Sequence, residues 1–122
     1  MKRNNYAFGR EGEIEAVRHL KKQGYEILET NWYYNRYEID IIAKKGEVLV
    51  VVEVKTRATD YFGDPEDAVD YIKRRKIVEC ADAYIEEKDL DLDVRFDIIA
   101  ILKTKEKTLL RHIDDAFLSF EM

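Results

Sequence analysis

The chain predicts an α/β domain built on a mixed sheet, and three observations lead there. Residues from about Asn5 to Gln23 carry a helical pattern of apolar positions. Three β-type runs follow with short links, and sequential strands so joined pair as an antiparallel meander. A long helical segment then connects the third run to a fourth, and a strand–helix–strand connection implies a parallel pair with a right-handed crossover. With a further strand after the fourth, the order is α-β-β-β-α-β-β. The 122 residues suffice for one core, so residues 1–122 form a single domain with helices covering the faces of its sheet.

The first helix stops at Gly24. At 100° per residue, Tyr6, Gly9, Val17 and Leu20 fall within about 40° of Glu13, which puts a carboxylate on the apolar stripe. There it either pairs with a core cation or faces a cleft. Gly9 and Gly12 are costly inside a helix, and they predict close approach of another backbone or of a phosphate. The first strand, Tyr25–Tyr34, is rich in aromatic residues. Trp32 and its neighbouring tyrosines serve either the core or a dimer contact, or they stack on unpaired bases.

The second strand, Glu38–Ala43, alternates: Glu38, Asp40 and Ile42 share one face, and Ile39, Ile41 and Ala43 the other. After the turn Lys44-Lys45-Gly46 comes Glu47–Thr56, almost continuous valine, as expected of a strand covered on both sides. Glu53 and Lys55, two apart near its end, emerge from the same face. Ala58–Gly63 is a polar, turn-rich loop. Asp64 as N-cap and Pro65 at N1 predict a helix running to about Glu87. Val69, Ile72, Cys80 and Ala83 lie on one side of it, with Lys76 within the apolar stripe and Lys73 at its edge, while Arg74 and Arg75 point away. The next strand, Val94–Leu102, is interrupted by Asp97, which either pairs with Arg95's neighbours or braces the core. Lys103–Lys107 turns the chain into a last strand, Thr108–Ile113.

The formal charge is −5, and Glu86–Asp93 holds five acids and one lysine, so that segment carries −4 and the remainder −1. The basic residues Lys55, Arg57 and Lys73-Arg74-Arg75-Lys76 line either one side of a site or a solvated helix face. For Lys73 and Lys76 the choice is between snorkelling and reaching a phosphate. A single cysteine, Cys80, reads as core filler. His19 and His112 stand alone, without a histidine or cysteine at metal-ligand spacing, and glycine-rich phosphate loops are absent. Neither an apolar leader region nor a membrane-length apolar run is present, so the expectation is a cytoplasmic protein without a membrane partner.

Asp40, Glu53 and Lys55 on one short apolar hairpin need compensation, because a buried unpaired charge costs several kcal/mol. An internal Glu53–Lys55 salt bridge is one answer, but it leaves a second carboxylate repelling Glu53. A hard divalent cation is the other. Mg²⁺ accepts one or two carboxylates, keeps several waters and leaves room for a phosphate, and the lysine then holds or polarises the attacking water.

An Asp on one strand and Glu-x-Lys on the next resembles the signature of the PD-(D/E)xK nuclease superfamily, here Asp40 followed by Glu53-Val54-Lys55. More narrowly, the chain resembles the YraN-like family of small nuclease-fold proteins, related to archaeal Holliday-junction resolvases. The matching segments are Gly9-Arg10-Glu11-Gly12-Glu13, Asn31-Trp32, Glu38-Ile39-Asp40, Val52-Glu53-Val54-Lys55-Thr56-Arg57, Phe62-Gly63 and Arg95-Phe96-Asp97. Tyr37 departs from the pattern, which has Gly there. The resemblance implies a restriction-endonuclease-like mixed sheet and a metal-dependent DNA endonuclease that hydrolyses phosphodiester bonds, with branched or single-stranded DNA as the candidate substrates. It implies Mg²⁺ or Mn²⁺ held by Glu13, Asp40 and Glu53, with Asp40, Glu53 and Lys55 catalytic and Lys55 orienting water. Arg57, Lys73 and Lys76 are the expected contacts to DNA, and a homodimer is permitted. Two rivals stand beside this reading: a nucleic-acid-binding module of the same fold that does not cleave, and a structural or partner-binding domain, for which the negative charge argues.

Overall fold

The computed structural model describes residues 5–58 and 69–117, with side chains from Phe8 onward. Helix α1 (Asn5–Lys22) leads to strands β1 (Glu26–Tyr34), β2 (Tyr37–Lys45) and β3 (Val48–Arg57), then helix α2 (Tyr71–Lys88) and strands β4 (Asp93–Lys103) and β5 (Thr108–Phe117). The five strands form one open mixed sheet in the order β1-β2-β3-β4-β5. Only β3 and β4 run parallel, and the other neighbours are antiparallel. The expected α-β-β-β-α-β-β order and the parallel crossover through the second helix are therefore both present.

Each face of the sheet is closed by one helix. On one side Ala16 and Leu20 of α1 pack with Ile41, Ala43, Val50, Val52, Ile99 and Ile101. On the other, Ile77, Cys80, Ala81 and Tyr84 of α2 pack with Ile39, Ile42, Leu49, Val51, Phe96 and Ile98. The valines of β3 feed the two cores alternately, which is why the strand reads as a continuous apolar run. The α1 helix ends as expected at Gly24, whose φ of +89° is a left-handed conformation that glycine adopts without a Cβ penalty.

Four expectations are corrected. A helix continuous from Pro65 does not form: Asp70, extended at φ −74° and ψ 177°, caps α2 by accepting from the Lys73 backbone N–H, and helix begins at Tyr71. Asp64, Pro65 and Phe62-Gly63 lie outside the described residues, as does the side chain of Tyr6. With the helix starting later, its buried stripe is Ile77, Cys80, Ala81 and Tyr84, whereas Ile72 is 67% exposed and Lys76 is exposed rather than within the stripe. Arg74, expected to point away, is half-buried; its Nε donates to the Val69 carbonyl and its guanidinium lies over the Phe117 ring. Finally, β5 continues past Ile113 to Phe117.

The glycines of α1 separate on inspection of their surroundings. A Cβ on Gly9 would meet nothing within 4 Å, so no close approach explains it. A Cβ on Gly12 would stand 1.8 Å from Thr56 Oγ1 and 3.0 Å from Thr56 Cβ. Gly12 is thus the point at which α1 touches the end of β3, at Thr56, one residue after Lys55. Gly12→Ala gains about 1 kcal/mol of helix propensity, but the overlap costs about 1–3 kcal/mol, so the variant should melt lower than wild type. Adding Thr56→Ala should recover the loss, and a single variant melting at or above wild type would contradict the contact.

Candidate metal centre

Strict alternation along β2 breaks at Asp40. Ile39 packs with Ile42 in the α2-side core, and Ile41 with Ala43 in the α1-side core, although Ile39 and Ile41 are two apart. The expected grouping of Glu38, Asp40 and Ile42 on one face is therefore wrong in this stretch. The opposing strand is irregular at the same level. Asn31, between the pairs Thr30↔Ile41 and Trp32↔Ile39, has a left-handed φ of 52°, which asparagine tolerates better than most residues. The break lets one carboxylate reach two sets of partners.

On the α1 side, Glu13, Glu38 and Asp40 bring one carboxylate oxygen each to within 4.8 Å of one another. Asn31 ties this group together. Its amide nitrogen donates to both Glu13 oxygens at 3.0 Å and also to Glu38 Oε1, while its carbonyl accepts from Arg10 Nη1 at 2.7 Å. On its other side Asp40 is hydrogen-bonded to Glu53 and accepts the Val54 backbone N–H at 2.7 Å. Glu53, only 4% exposed, accepts from the Tyr37 hydroxyl at 3.2 Å.

Four carboxylates so close cannot all be charged without a cation. Burial and then the adjoining Glu53 push the Asp40 carboxyl up to about 9, so the hydrogen-bonded Asp40–Glu53 pair holds one proton between its two carboxyls at neutral pH. Burial, opposed by the Asn31 amide, also raises Glu13, with Asp40 and Glu38 adding to the rise. The Lys55 ammonium is lowered, first by burial and then by the Lys73 side chain beside it, against the pull of Glu53 and Asp40. Among the described residues no ion pair closes between Glu53 and Lys55, so the internal salt bridge does not account for them.

The donor set fits a hard cation. Carboxylate oxygens about 2.0–2.1 Å from a common Mg²⁺ lie about 3 Å apart when adjacent and about 4 Å when opposite; those of Glu13, Glu38 and Asp40 lie within 4.8 Å of one another, a spread that small side-chain adjustments bring onto one ion. Of the expected ligands, Glu13 and Asp40 are brought into this group, and Glu53 adjoins it through Asp40. Lys55 stands next to Glu53, and Lys73 of the first turn of α2 next to Lys55. Arg57 is half-buried at the end of β3, and Lys76, one turn beyond Lys73, is exposed.

Glu38, Asn31 and Tyr37 join the site beyond the residues expected from the sequence. Glu38 lies two positions before Asp40, a signal that was present, but the role of Asn31 depends on a strand irregularity that no period announces. Tyr37 stands where the YraN-like pattern has Gly, and its hydroxyl supplies a bond to Glu53 that glycine does not. Trp32 belongs to the core, edge-on to Tyr84 at 5.1 Å.

A second polar network lies under α1. Asp97, 1% exposed, accepts two bonds from Arg95 at 2.9 and 2.8 Å, one from the Asp115 backbone N–H at 3.0 Å, and lies 2.7 Å from His112 Nε2. His112 Nδ1 is in turn 2.9 Å from His19 Nε2, and Arg95 also donates to the Tyr25 hydroxyl. The two histidines are therefore partners in space, contrary to their isolation in the sequence. Burial alone would raise Asp97, but the bonds from His112, Arg95 and Asp115 hold it below the usual carboxylate range. Asp97 braces the core, as expected.

A family model described as an uncharacterised protein family, UPF0102, matches residues 12–101. A UPF0102 protein of Parabacteroides distasonis is 54% identical over 109 residues, covering 89% of this chain and 90% of the relative. One from Christiangramia forsetii is 49% identical over 112 residues, with 92% and 94% covered, and one from Bacteroides thetaiotaomicron is 43% identical over 109 residues, with 89% and 90% covered. The matched span holds every carboxylate of the centre, and the chain belongs to the uncharacterised family UPF0102, the YraN-like proteins.

Proposed function

We propose that the protein is a metal-dependent DNA endonuclease of the PD-(D/E)xK type, with a restriction-endonuclease-like sheet. The observation that carries this reading is the meeting of Glu13, Glu38 and Asp40 within one cation's reach, with Glu53 bonded to Asp40 and Lys55 alongside. Mg²⁺ or Mn²⁺, when bound, would supply Lewis-acid polarisation of a phosphoryl oxygen. Glu13, Asp40 and Glu53, now joined by Glu38, would hold it. Asn31 keeps Glu13 and Glu38 facing one another, and Tyr37 fixes the rotamer of Glu53. Lys55, whose lowered basicity suits proton handling, holds the water that attacks phosphorus. Lys73 stands beside it as a second positive charge for the phosphate.

Cleavage of supercoiled, linear, single-stranded and branched DNA in Mg²⁺ and Mn²⁺ tests the reading. Turnover that needs the metal and is lost in chelator supports it. Binding with Ca²⁺ in place of Mg²⁺, but no turnover with any metal, favours the non-cleaving module, and no binding favours the structural domain.

Arg57, Lys73 and Lys76 are proposed to bind the DNA backbone. Their joint replacement by alanine should flatten the dependence of log affinity on log salt by about 2–3, while metal binding stays intact. A wild-type salt slope in that variant would make the cluster a solvated helix face.

A further inference from the structure

Beside the carboxylates, a cleft of about 210 Å³ runs along the outer side of α1 against β1. Arg10, Arg18 and Lys21 line it with Ile14 and Val17, and Glu13 of the candidate metal centre forms part of its wall. Arg10 and Lys21 lie eleven residues apart on nearly the same side of the helix, a row about 16 Å long. Arg18 has 69% of its side chain exposed and a single loose pairing with its helix neighbour Glu15, at 3.4 Å. Tyr33, two residues beyond Asn31 on β1, is 64% exposed. It pairs with Glu38 across the β1–β2 ladder, which turns both side chains to the same face of the sheet.

We propose that this cleft is the track by which an unpaired DNA strand reaches the carboxylates, with its phosphates on Arg10, Arg18 and Lys21 and a base stacked on Tyr33. The inference rests on the reading of the centre as a phosphodiester site and deepens it by naming a single-stranded substrate segment. One row of cations serves one backbone. An exposed aromatic ring beside the centre offers a stacking platform to a base free of its partner. The apolar side chains between the cations suit sugar and base edges, which a merely solvated helix face would not need.

The test is fluorescence anisotropy of a labelled single-stranded oligonucleotide and of its duplex, with Ca²⁺ present, across a range of salt. Wild type should bind the single strand more tightly than the duplex. Arg18→Ala with Lys21→Ala should lower the slope of log affinity on log salt by about 1.4, from 0.7 per phosphate contact on single strands. Tyr33→Ala should weaken binding by about fivefold or more, as loss of a stacked base does, and Tyr33→Phe should restore it. All three side chains are exposed, so melting temperatures should not move. Wild-type affinity and salt slope in these variants, or a preference for duplex, would overturn the track while leaving the nuclease reading standing. Failure of the wild type to bind or cleave any DNA would sink both.

Discussion

Asp97→Ala should lower the melting temperature by about 10 °C or more. Removing one member of a buried charge pair costs about 3–5 kcal/mol, and the lower figure applies because Arg95 retains a quarter of its side-chain exposure. For a domain this size, about 3 kcal/mol corresponds to roughly 10 °C. The variant leaves His112 without its acceptor and the Asp115 backbone N–H without one as well. Because the folded-state value of Asp97 is depressed, its contribution is present above the unfolded value, near pH 4, and is lost as pH falls through the folded one. Wild type and variant should therefore converge in stability at strongly acid pH. A loss at neutral pH of only a degree or two would mean that the network does not brace the sheet.

Asp40→Asn, Glu53→Gln and Lys55→Ala should each reduce metal-dependent cleavage by about 10²–10³-fold or more. Groups that act as one unit are not additive, so a double variant should be little worse than the worst single one. Folding should survive, since Asp40→Asn and Glu53→Gln keep the shape of the side chains they replace, and Lys55→Ala truncates a half-buried side chain near the end of β3. A folded variant with full turnover would remove that residue from the chemistry. Glu38→Gln belongs in the same set, because Glu38 completes the group within one cation's reach.

Much of this arrangement was legible in the residues. Valine spacing in β3, the link Lys44-Lys45-Gly46 and the Gly24 stop give strand and helix positions directly, because each depends on local period or on backbone freedom. Asp40, Glu53, Lys55 and Glu13 could be found as charges in apolar settings. What was not legible depends on pairing. The break of alternation at Asp40, matched by Asn31 in β1, arises from two strands jointly, and it is this break that gives Asp40 both sets of partners. His19 and His112 lie 93 positions apart, and only the packing of α1 across β5 joins them. Asp64-Pro65 is a strong local opening signal, yet α2 is capped at Asp70, where no proline marks the start.

The central claim is that the carboxylate cluster holds a divalent metal, and melting curves of wild type and Asp40→Asn with and without Mg²⁺ or Mn²⁺ test it most directly. Without metal, the raised Asp40 value means that its stabilising contribution is full below about pH 4 and is lost as pH rises through about 9. In that window the asparagine variant should be at least as stable as wild type, and less sensitive to pH. With metal at ten times its dissociation constant, wild type should gain about 1.4 kcal/mol, or roughly 5 °C, at matched ionic strength so that screening is not read as binding. The variant should gain far less. Equal metal shifts in the two proteins, or a large loss of stability in metal-free Asp40→Asn, would contradict the account.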